Sequence, residues 1–269
     1  MARIRVTILG CGSSGGVPRL GGLWGACDPD EPRNYRRRCS ILVERFEGDG
    51  SEDAATRVLV DTSPDLRAQL LDANVGLLDA VAYTHPHADH VHGIDDLRMI
   101  VFNRQSRLPV WADEPTSESL LDRFGYAFIQ PPGSMYPPIL DLRLIDGAFT
   151  IDGAGGPIEF RPFEVEHGRI RALGFRIKDF AYLPDVSDIP DETWPALDGL
   201  ELLVIDALRY RPHPTHAHLE RTLEWIRRCR PARAVLTNMH IDLDYATLAA
   251  ELPPGVVPAH DGMTLEITP

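Results

Sequence analysis

The sequence predicts an α/β protein in which two β-sheets are sandwiched between helical layers. Short apolar runs rich in Val, Ile and Leu recur along the 269 residues, and several end in turn signals, which is typical of strands. Predicted strands largely precede helices, in two batches, and that order favours two sheets between layers of helices. Neither a linker nor an internal repeat is evident, so we predict a single domain over residues 1–269.

Each strand prediction rests on one such apolar run. In chain order the runs cover residues 4–9, 40–43, 58–60, 80–83, 109–111, 158–165, 173–177, 202–205, 234–236 and 265–267. Helical patterns are fewer, and they cover residues 65–73, 94–104, 116–124, 217–230 and 245–251. Ser63-Pro64-Asp65 predicts a helix cap with proline at the first helical position. The stretch 125–138 contains four prolines and two glycines, which predicts a long loop of the kind that is often functional.

Composition and charge restrict the classes of function. The chain has 27 Lys and Arg against 40 Asp and Glu, a net charge of −13, and an acidic surface opposes the many phosphate contacts that long nucleic acids require. A small anionic substrate is compatible with this balance where the site itself is positive. The sequence lacks an apolar run near the roughly 20 residues of a membrane span and lacks signal-peptide features, so we predict a cytoplasmic protein without a membrane segment. The four cysteines are too scattered for a disulfide framework.

The densest group of metal-ligand side chains is the stretch His85-Pro86-His87-Ala88-Asp89-His90, which follows the predicted strand 80–83. In an extended stretch His85 and His87 point to the same side, so one metal could take both. Asp89 and His90 come after the turn and can face a neighbouring metal. Imidazole suits zinc and its borderline neighbours, and a carboxylate leaves positions open for water.

Further ligand-type residues stand where other predicted strands end. His167, Asp185 and His240 each close or follow an apolar run, which is where α/β sheets commonly place their sites. A lone histidine at a strand end is more often structural than a ligand. Beside the His85–His90 group, these three become candidates for the same centre.

The order of these residues resembles the metallo-β-lactamase superfamily, over nearly the whole chain. The resemblance implies an αββα sandwich of two mixed β-sheets, with a site for two divalent ions, zinc or manganese, at one edge between the sheets. It further implies that His85, His87 and His167 hold one metal, that Asp89, His90 and His240 hold the second, and that Asp185 bridges them.

Three other segments resemble one particular branch of this superfamily. Residues 10–19, 36–40 and 60–63 are similar to the branch that includes ribonuclease Z and the phosphoribosyl 1,2-cyclic phosphate phosphodiesterase, whose members cleave P–O bonds. The phosphodiesterase relatives carry a structural zinc on closely spaced cysteines and a late histidine, whereas this chain keeps only Cys27 there and has Leu243 at the histidine position. We therefore predict no structural zinc. The long basic arm with which ribonuclease Z grips transfer RNA has no counterpart either.

The resemblance also assigns roles outside the ligand set. A hydroxide shared by two metals would attack phosphorus, and Asp89 would be among the catalytic ligands. The leaving oxygen then needs a proton. A histidine at the position of His216 is the general acid that this branch implies, and His218 is the alternative. Asp61 resembles the acid that supports a metal-bound imidazole from behind, although a role in a helix-entry turn is equally compatible.

Substrate contacts are weaker predictions. The candidates are Arg37, Arg38, His92 and His218. An arginine run is usually solvated, and His92 could instead pack against its neighbours. The glycine-rich stretch 10–16 resembles a phosphate cradle but fits tight packing better. Aromatic residues in 125–138 could stack on a base or pack against a second subunit, so a homodimer stays open.

The sequence therefore predicts a metal-dependent phosphodiesterase that acts on a small cyclic or nucleotide-like phosphate and not on long nucleic acid. Two alternatives from other classes stay open. One is hydrolysis of a carboxylic ester, thioester or lactone on the same fold. The other is a non-catalytic nucleotide-binding protein.

Overall fold

Two seven-stranded β-sheets share one apolar core in the computed structural model, which describes residues 2–48 and 54–267. The strands are β1 (Arg3–Gly10), β2 (Ser40–Phe46), β3 (Thr56–Val60), β4 (Ala80–Ala82), β5 (Leu108–Ala112), β6 (Leu140–Leu144), β7 (Phe149–Ile151), β8 (Ile158–His167), β9 (Ile170–Ile177), β10 (Phe180–Leu183), β11 (Leu202–Asp206), β12 (Arg233–Thr237), β13 (Val256–Pro258) and β14 (Thr264–Ile267). The helices are α1 (Leu66–Asp72), α2 (Ala88–Val91), α3 (Leu97–Arg104), α4 (Glu114–Phe128), α5 (Leu219–Cys229) and α6 (Tyr245–Glu251).

The two sheets have related orders. The first runs β14-β1-β2-β3-β4-β5-β6 and the second β13-β12-β11-β10-β9-β8-β7. In the first, β1, β2 and β3 are antiparallel and β3 to β6 are parallel. In the second, β7 to β10 are antiparallel and β10 to β13 are parallel. Both sheets are mixed, as predicted.

Strand alternation explains how the first sheet buries both faces. In β2, Ile41 and Val43 belong to the core between the sheets, whereas Leu42 belongs to a second cluster with Leu66, in α1, and Leu97, in α3. Successive strand residues point to opposite faces, so one face meets the other sheet and the opposite face meets helices. On the second sheet, Trp225 and Ile226 of α5 join the main core.

The predicted strands and helices are all present, with shifted ends. Four strands are absent from the list of apolar runs given above: β10 is the run that precedes Asp185, and the other three, β6, β7 and β13, are edge strands of their sheets. Edge strands can be short, charged or interrupted by proline, which weakens the apolar signal. Helix α4 extends through residue 128, into the stretch predicted as loop, with a kink at Phe124, where φ is −129°. Asp113 caps its start by accepting from the Thr116 N–H at 3.0 Å.

The predicted cap at residues 63–65 was wrong in its detail. Helix α1 begins at Leu66, and Pro64 precedes it by two residues. The Ser63 hydroxyl accepts from the Asp65 N–H at 3.1 Å, which forms a local turn ahead of the helix. Among the described residues, none of the helices has the length and hydropathy to cross a bilayer.

Candidate metal centre

The candidate centre lies at the carboxyl ends of strands from both sheets. Asp61 follows β3 and the stretch 83–90 follows β4, while His167 closes β8 and Asp185 comes shortly after β10. Because β3 and β4 are parallel, as are β10 and β11, these ends meet at one edge of each sheet. The predicted placement of the ligand residues at strand ends corresponds to this arrangement.

Three imidazoles converge on one point. The Nε2 atom of His85 lies 3.1 Å from Nδ1 of His87, and Nε2 of His167 lies 3.0 Å from the same His87 atom. One carboxylate oxygen, Oδ2 of Asp185, lies 3.7 Å from His85 Nε2 and 3.5 Å from His167 Nε2. All four ligand atoms fall within 4.8 Å of one another, so this group could hold a metal ion.

The far nitrogens of two of these rings are fixed by hydrogen bonds. His85 Nδ1 lies 3.0 Å from the Thr84 hydroxyl, and His167 Nδ1 lies 2.7 Å from the Thr215 carbonyl oxygen, which can only accept. An Nδ1–H donated outward leaves the Nε2 lone pair for a metal. Burial lowers the pKa of His85, His87 and His167 below the usual histidine range, which favours the neutral form that metal ligation requires.

His90 faces the other oxygen of the shared carboxylate. Its Nε2 atom lies 3.1 Å from Oδ1 of Asp185 and 3.7 Å from Oδ2 of Asp89. Among the described residues this buried Nε2 atom makes no hydrogen bond of good geometry. Burial opposes a charge on His90, but Asp185, Asp61 and Asp89 outweigh it and raise the pKa of His90 well above its usual range. A buried polar atom is rarely left unsatisfied, and two carboxylate oxygens beside an unpartnered imidazole nitrogen fit a bound cation. The residues present therefore fit a second metal position.

Asp61 lies behind the His90 ring, at the place that the resemblance implies for a supporting acid. It is wholly buried, and its Oδ2 accepts from His90 Nδ1 at 2.8 Å and from the Thr84 hydroxyl at 2.8 Å. Its Oδ1 accepts from the Thr84 N–H at 2.8 Å. The backbone φ of 64° is left-handed, which aspartate tolerates better than most residues. Asp61 thus orients His90 so that Nε2 points toward Asp185.

His240 is turned toward other partners. Its Nε2 atom contacts the Arg19 guanidinium, and its Nδ1 atom lies 3.0 Å from a carboxylate oxygen of Asp242. The residue follows β12 at the expected strand end, but the described group of converging ligand atoms does not include it. Arg19 was not singled out from the sequence, because an arginine after a glycine-rich turn is usually solvated.

His216 lies next to the converging imidazoles. Its ring centroid is 4.7 Å from that of His167, and its Nδ1 atom lies 2.9 Å from Oδ2 of the buried Asp206 and 3.7 Å from Oδ2 of Asp185. Burial opposes a charge on His216, but the neighbouring carboxylates, Asp206 first, outweigh it and raise its pKa to about 9. The bond from Nδ1 leaves Nε2 as the atom that can exchange a proton with a substrate.

Two residues around His216 were missed as site residues. Asp206 closes β11 and also accepts from the Val186 N–H at 3.1 Å. Asn238 donates to Asp206 Oδ1 at 3.2 Å and lies 3.5 Å from Asp185 Oδ1. The signal for Asp206 was present, since it is an acid at a strand end in the same way as Asp61 and Asp185.

The predicted substrate contacts fall in different places. Arg38 lines a cavity of about 770 Å³ that also touches Asp89 and Arg19, whereas Arg37 pairs with Asp72 at 2.6 Å and does not line that cavity. His92 is exposed and packs edge-on to Phe124 at 5.7 Å, the packing alternative considered from the sequence. His218 sits at the N-cap of α5, and none of its described contacts reaches the ligand residues.

The region around Cys27 and Leu243, where we predict that a structural zinc is missing, contains a buried arginine. Arg36 is 1% exposed, and its guanidinium donates to the Leu243 carbonyl at 2.7 Å and lies 3.9 Å from the Cys27 sulfur. The one retained cysteine and the residue at the position of the missing histidine therefore both contact Arg36. Sequence reasoning did not find this role, because burial of one arginine in a run of three is not visible in the sequence.

Comparisons with known proteins agree with the fold and the centre. A family model described as a β-lactamase superfamily domain matches residues 56–241. Octanoyltransferase of Porphyromonas gingivalis is 36% identical over 265 residues, which are 97% of this chain and 51% of that protein. Ribonuclease Z of Aeropyrum pernix is 34% identical over 122 residues, 45% of this chain and 32% of that protein. A solved structure of a new diphosphatase from the PhnP family has a TM-score of 0.85 at 35% identity, covering 99% of this chain and 98% of that one.

The chain belongs to the metallo-β-lactamase superfamily. More specifically, it is a hydrolase of the metallo-β-lactamase fold with a histidine and aspartate group that could bind metal. The resemblance and the fold predicted from the sequence are confirmed. The chain spans about half of the octanoyltransferase and matches about a third of the ribonuclease Z.

Proposed function

We propose that the protein is a dinuclear metal-dependent phosphodiesterase that cleaves a small cyclic or nucleotide-like phosphodiester. The observation that carries the proposal is the position of Asp185 between two sets of imidazoles. Its Oδ2 faces His85 and His167, and its Oδ1 faces the unpartnered Nε2 of His90. A carboxylate whose two oxygens face separate ligand sets is suited to bridge two cations.

The ligand assignment is the one that the resemblance implies, and the convergence of His85, His87, His167 and Asp185 supports it. His85, His87 and His167 would hold one ion, and Asp89, His90 and His240 would hold the other, with Asp185 shared. For His240 to serve as a ligand, its Nε2 must exchange the Arg19 guanidinium for the metal. The mixed nitrogen and oxygen donor set suits zinc or manganese.

The chemistry divides between the ions and this chain's own side chains. Divalent ions bound at this centre would supply Lewis acidity and activate water for attack on phosphorus. His216 holds a proton near the centre because Asp206 stabilises the charged imidazole, and its Nε2 would donate that proton to the leaving oxygen. Asp61 keeps the His90 ring fixed while this occurs.

The cavity beside Asp89 supports a phosphate-containing substrate. Arg19 and Arg38 both border it, although the whole chain has a net charge of −13. A Cβ on Gly15 would lie 3.1 Å from Arg19 Nε, and a Cβ on Gly16 would lie 3.8 Å from Arg38 Nη1. Gly15 therefore lets the Arg19 side chain pack close to the backbone at the cavity, whereas a side chain on Gly16 would make only ordinary contact with Arg38. Guanidinium groups recognise phosphate oxygens through paired N–H donors.

Substrate comparison tests the proposal. Purified protein loaded with zinc or manganese should hydrolyse bis(p-nitrophenyl) phosphate and a 2′,3′-cyclic nucleotide, and His87→Ala should lose metal and turnover together. Nitrocefin and a lactone serve as matched substrates for carbon–oxygen or carbon–nitrogen cleavage. Turnover of the lactone without turnover of either phosphate would refute the phosphodiesterase. Nucleotide binding without any turnover would favour the non-catalytic alternative.

A second candidate is hydrolysis of an acyl ester or thioester. The relative named octanoyltransferase is 36% identical over 265 residues of this chain, so an acylated substrate is a specific alternative. The match covers only 51% of that protein, and its name describes the whole of it. The arginines at the cavity favour phosphate. Hydrolysis of an octanoyl thioester faster than of bis(p-nitrophenyl) phosphate would reverse this order.

A further inference from the structure

The buried side chain of Arg36 joins the segments around His240, and metal ligation alone does not explain its contacts. The Arg36 guanidinium donates through Nη2 to the Leu243 carbonyl at 2.7 Å and through Nη1 to the His240 carbonyl at 3.4 Å. Nη2 also donates to Asn34 Oδ1 at 3.1 Å. Arg36 is 1% exposed, so these contacts are made away from water.

The loop that follows β12 is fixed by its own carbonyl groups. The Ile241 carbonyl accepts from the Ala26 N–H at 2.8 Å and lies 3.5 Å from the Cys27 sulfur, and the Leu243 carbonyl lies 3.5 Å from the same sulfur. Consecutive carbonyls in a short loop normally face water, yet here they surround a buried cation and a thiol. The guanidinium supplies the charged donors that make this inward orientation stable.

The charge of Arg36 is balanced by the Asp244 carboxylate through Asn34, which hydrogen bonds to both. Asn34, which accepts from Arg36, donates through Nδ2 to Asp244 Oδ2 at 2.7 Å. Asp244 also accepts from the Asp28 N–H at 3.1 Å and caps α6 by accepting from the Thr247 N–H at 2.9 Å. The cation therefore lies inside a hydrogen-bonded chain that ends on a carboxylate and a helix start.

The backbone of Arg36 holds the segment on the other side of His240. The Val17 N–H donates to the Arg36 carbonyl at 2.9 Å, and the Arg36 N–H donates to the Val17 carbonyl at 2.9 Å. Arg19, two residues beyond Val17, contacts His240 Nε2. Arg36 thus fixes the backbone of His240 from one side and the segment that meets its ring from the other.

We propose that Arg36 is a positioning residue that holds His240 in reach of the second metal position, the one formed with Asp89 and His90. The inference rests on the proposed dinuclear centre. Arg36 has no described contact with His85, His87 or His167, so its loss should weaken one metal position and leave the other filled. Groups that orient metal ligands from behind typically contribute 10–100-fold to metal affinity or activity.

Metal titration of folded protein tests this proposal. Metal-free wild-type protein, Arg36→Lys and Arg36→Gln are titrated with Co²⁺, and the visible absorption and the stoichiometry by elemental analysis are recorded. Wild type should take up close to two ions. The variants should keep one tight ion, with the affinity for the second reduced at least tenfold. Lysine keeps the charge but cannot span the His240 and Leu243 carbonyls. Arg36→Lys should therefore fold better than Arg36→Gln but should still bind the second ion weakly.

Controls separate this outcome from a general loss of structure. Arg37→Gln removes the neighbouring arginine, which pairs with Asp72, and should leave both affinities unchanged. Far-ultraviolet circular dichroism establishes that each variant is folded. Equal weakening of both ions, or unchanged binding of both in a folded Arg36→Gln protein, would overturn the proposal. Wild type that binds one ion only would instead refute the dinuclear centre, so the two failures are distinguishable.

Discussion

Replacing His216 tests whether this side chain supplies the leaving-group proton. A p-nitrophenolate leaves without help, whereas a ribose alkoxide must be protonated. General acid catalysis is typically worth about 10²–10⁴-fold in rate. His216→Ala should therefore lose about that factor on a 2′,3′-cyclic nucleotide and much less on bis(p-nitrophenyl) phosphate, with metal content unchanged. His218→Ala is the matched control, because the described contacts of His218 do not reach the ligand residues.

The Asp206 bond gives this prediction a pH dependence. Burial lowers the pKa of His216, but Asp206, with smaller contributions from Asp185 and Asp89, raises it to about 9, so the acid stays protonated until the pH exceeds that value. Asp206→Asn removes the carboxylate charge, and the alkaline limb of the rate profile should move to lower pH. A return of the pKa to the ordinary histidine value of about 6.5 would lower the protonated fraction at pH 8 from about 90% to about 3%, roughly a 30-fold loss, and near pH 5.5 the loss should almost disappear.

Rates of both variants on both substrates, measured from pH 5.5 to 9.5, decide the matter. Equal losses on the two substrates would mean that His216 positions the phosphate or supports a metal. An unshifted alkaline limb in Asp206→Asn would show that Asp206 does not control the proton. A large effect at His218 alone would assign the acid to the other histidine of the pair.

Three further predictions concern substrate, metal and partner. Arg38→Gln should raise KM for a cyclic nucleotide roughly tenfold, because a charged hydrogen bond to phosphate is lost. Arg37→Gln should leave KM unchanged. Equal changes in KM for the two variants, measured by steady-state kinetics, would contradict this prediction. Chelation should lower the free energy of unfolding by about 3 kcal/mol for each ion present at 100-fold above its Kd, measured by urea titration and reversed by adding zinc back; an unchanged midpoint would count against resident metal. Transfer RNA should not bind with submicromolar affinity in a filter assay at 0.1 M salt, and tight, salt-dependent retention would contradict the inference from the charge of −13.

The sequence was most informative where the ligands are contiguous. His85, His87, Asp89 and His90 occupy six consecutive positions, and a strand followed by a tight turn leaves them few ways to be arranged. His167 and Asp185 could be added because parallel strand ends meet in space. The prediction for the six-residue stretch depended on local geometry, whereas the prediction for His167 and Asp185 depended on the sheet arrangement and on the resemblance.

The sequence was least informative where burial determines the role. Arg36 and Arg37 are neighbours in one basic run, yet the first is buried among carbonyls and the second pairs with Asp72 at the surface. Asp206 lies ten positions from His216, and their contact depends on how the segment after β11 returns to the sheet. The direction of the His240 ring likewise depends on Arg19, far away in the chain. Long-range packing determines each of these, and local patterns do not contain it.

Three buried aspartates lie at the centre, and their hydrogen bonds distinguish their roles. Asp61 accepts from an N–H group, a hydroxyl and one imidazole at 2.8 Å each. Asp206 accepts from the Val186 N–H and from His216 Nδ1, with Asn238 on its second oxygen. A buried carboxylate with several such donors is already compensated and has little need for a further partner.

Asp185 differs from both in this respect. Among the described residues, its hydrogen-bond donor is Asn238, at the long distance of 3.5 Å, and its other close neighbours are imidazole nitrogens. Neighbouring carboxylates outweigh burial and raise the pKa of His90 and of His216, so these two rings compensate the charge of Asp185. Burial instead lowers the pKa of His85 and His167 and favours their neutral forms. Neutral rings present lone pairs to the carboxylate, which is unfavourable unless a cation lies between them. Asp185 is therefore the one of the three that faces imidazoles on both of its carboxylate oxygens, and for this reason we assign the bridging role in the proposed centre to it.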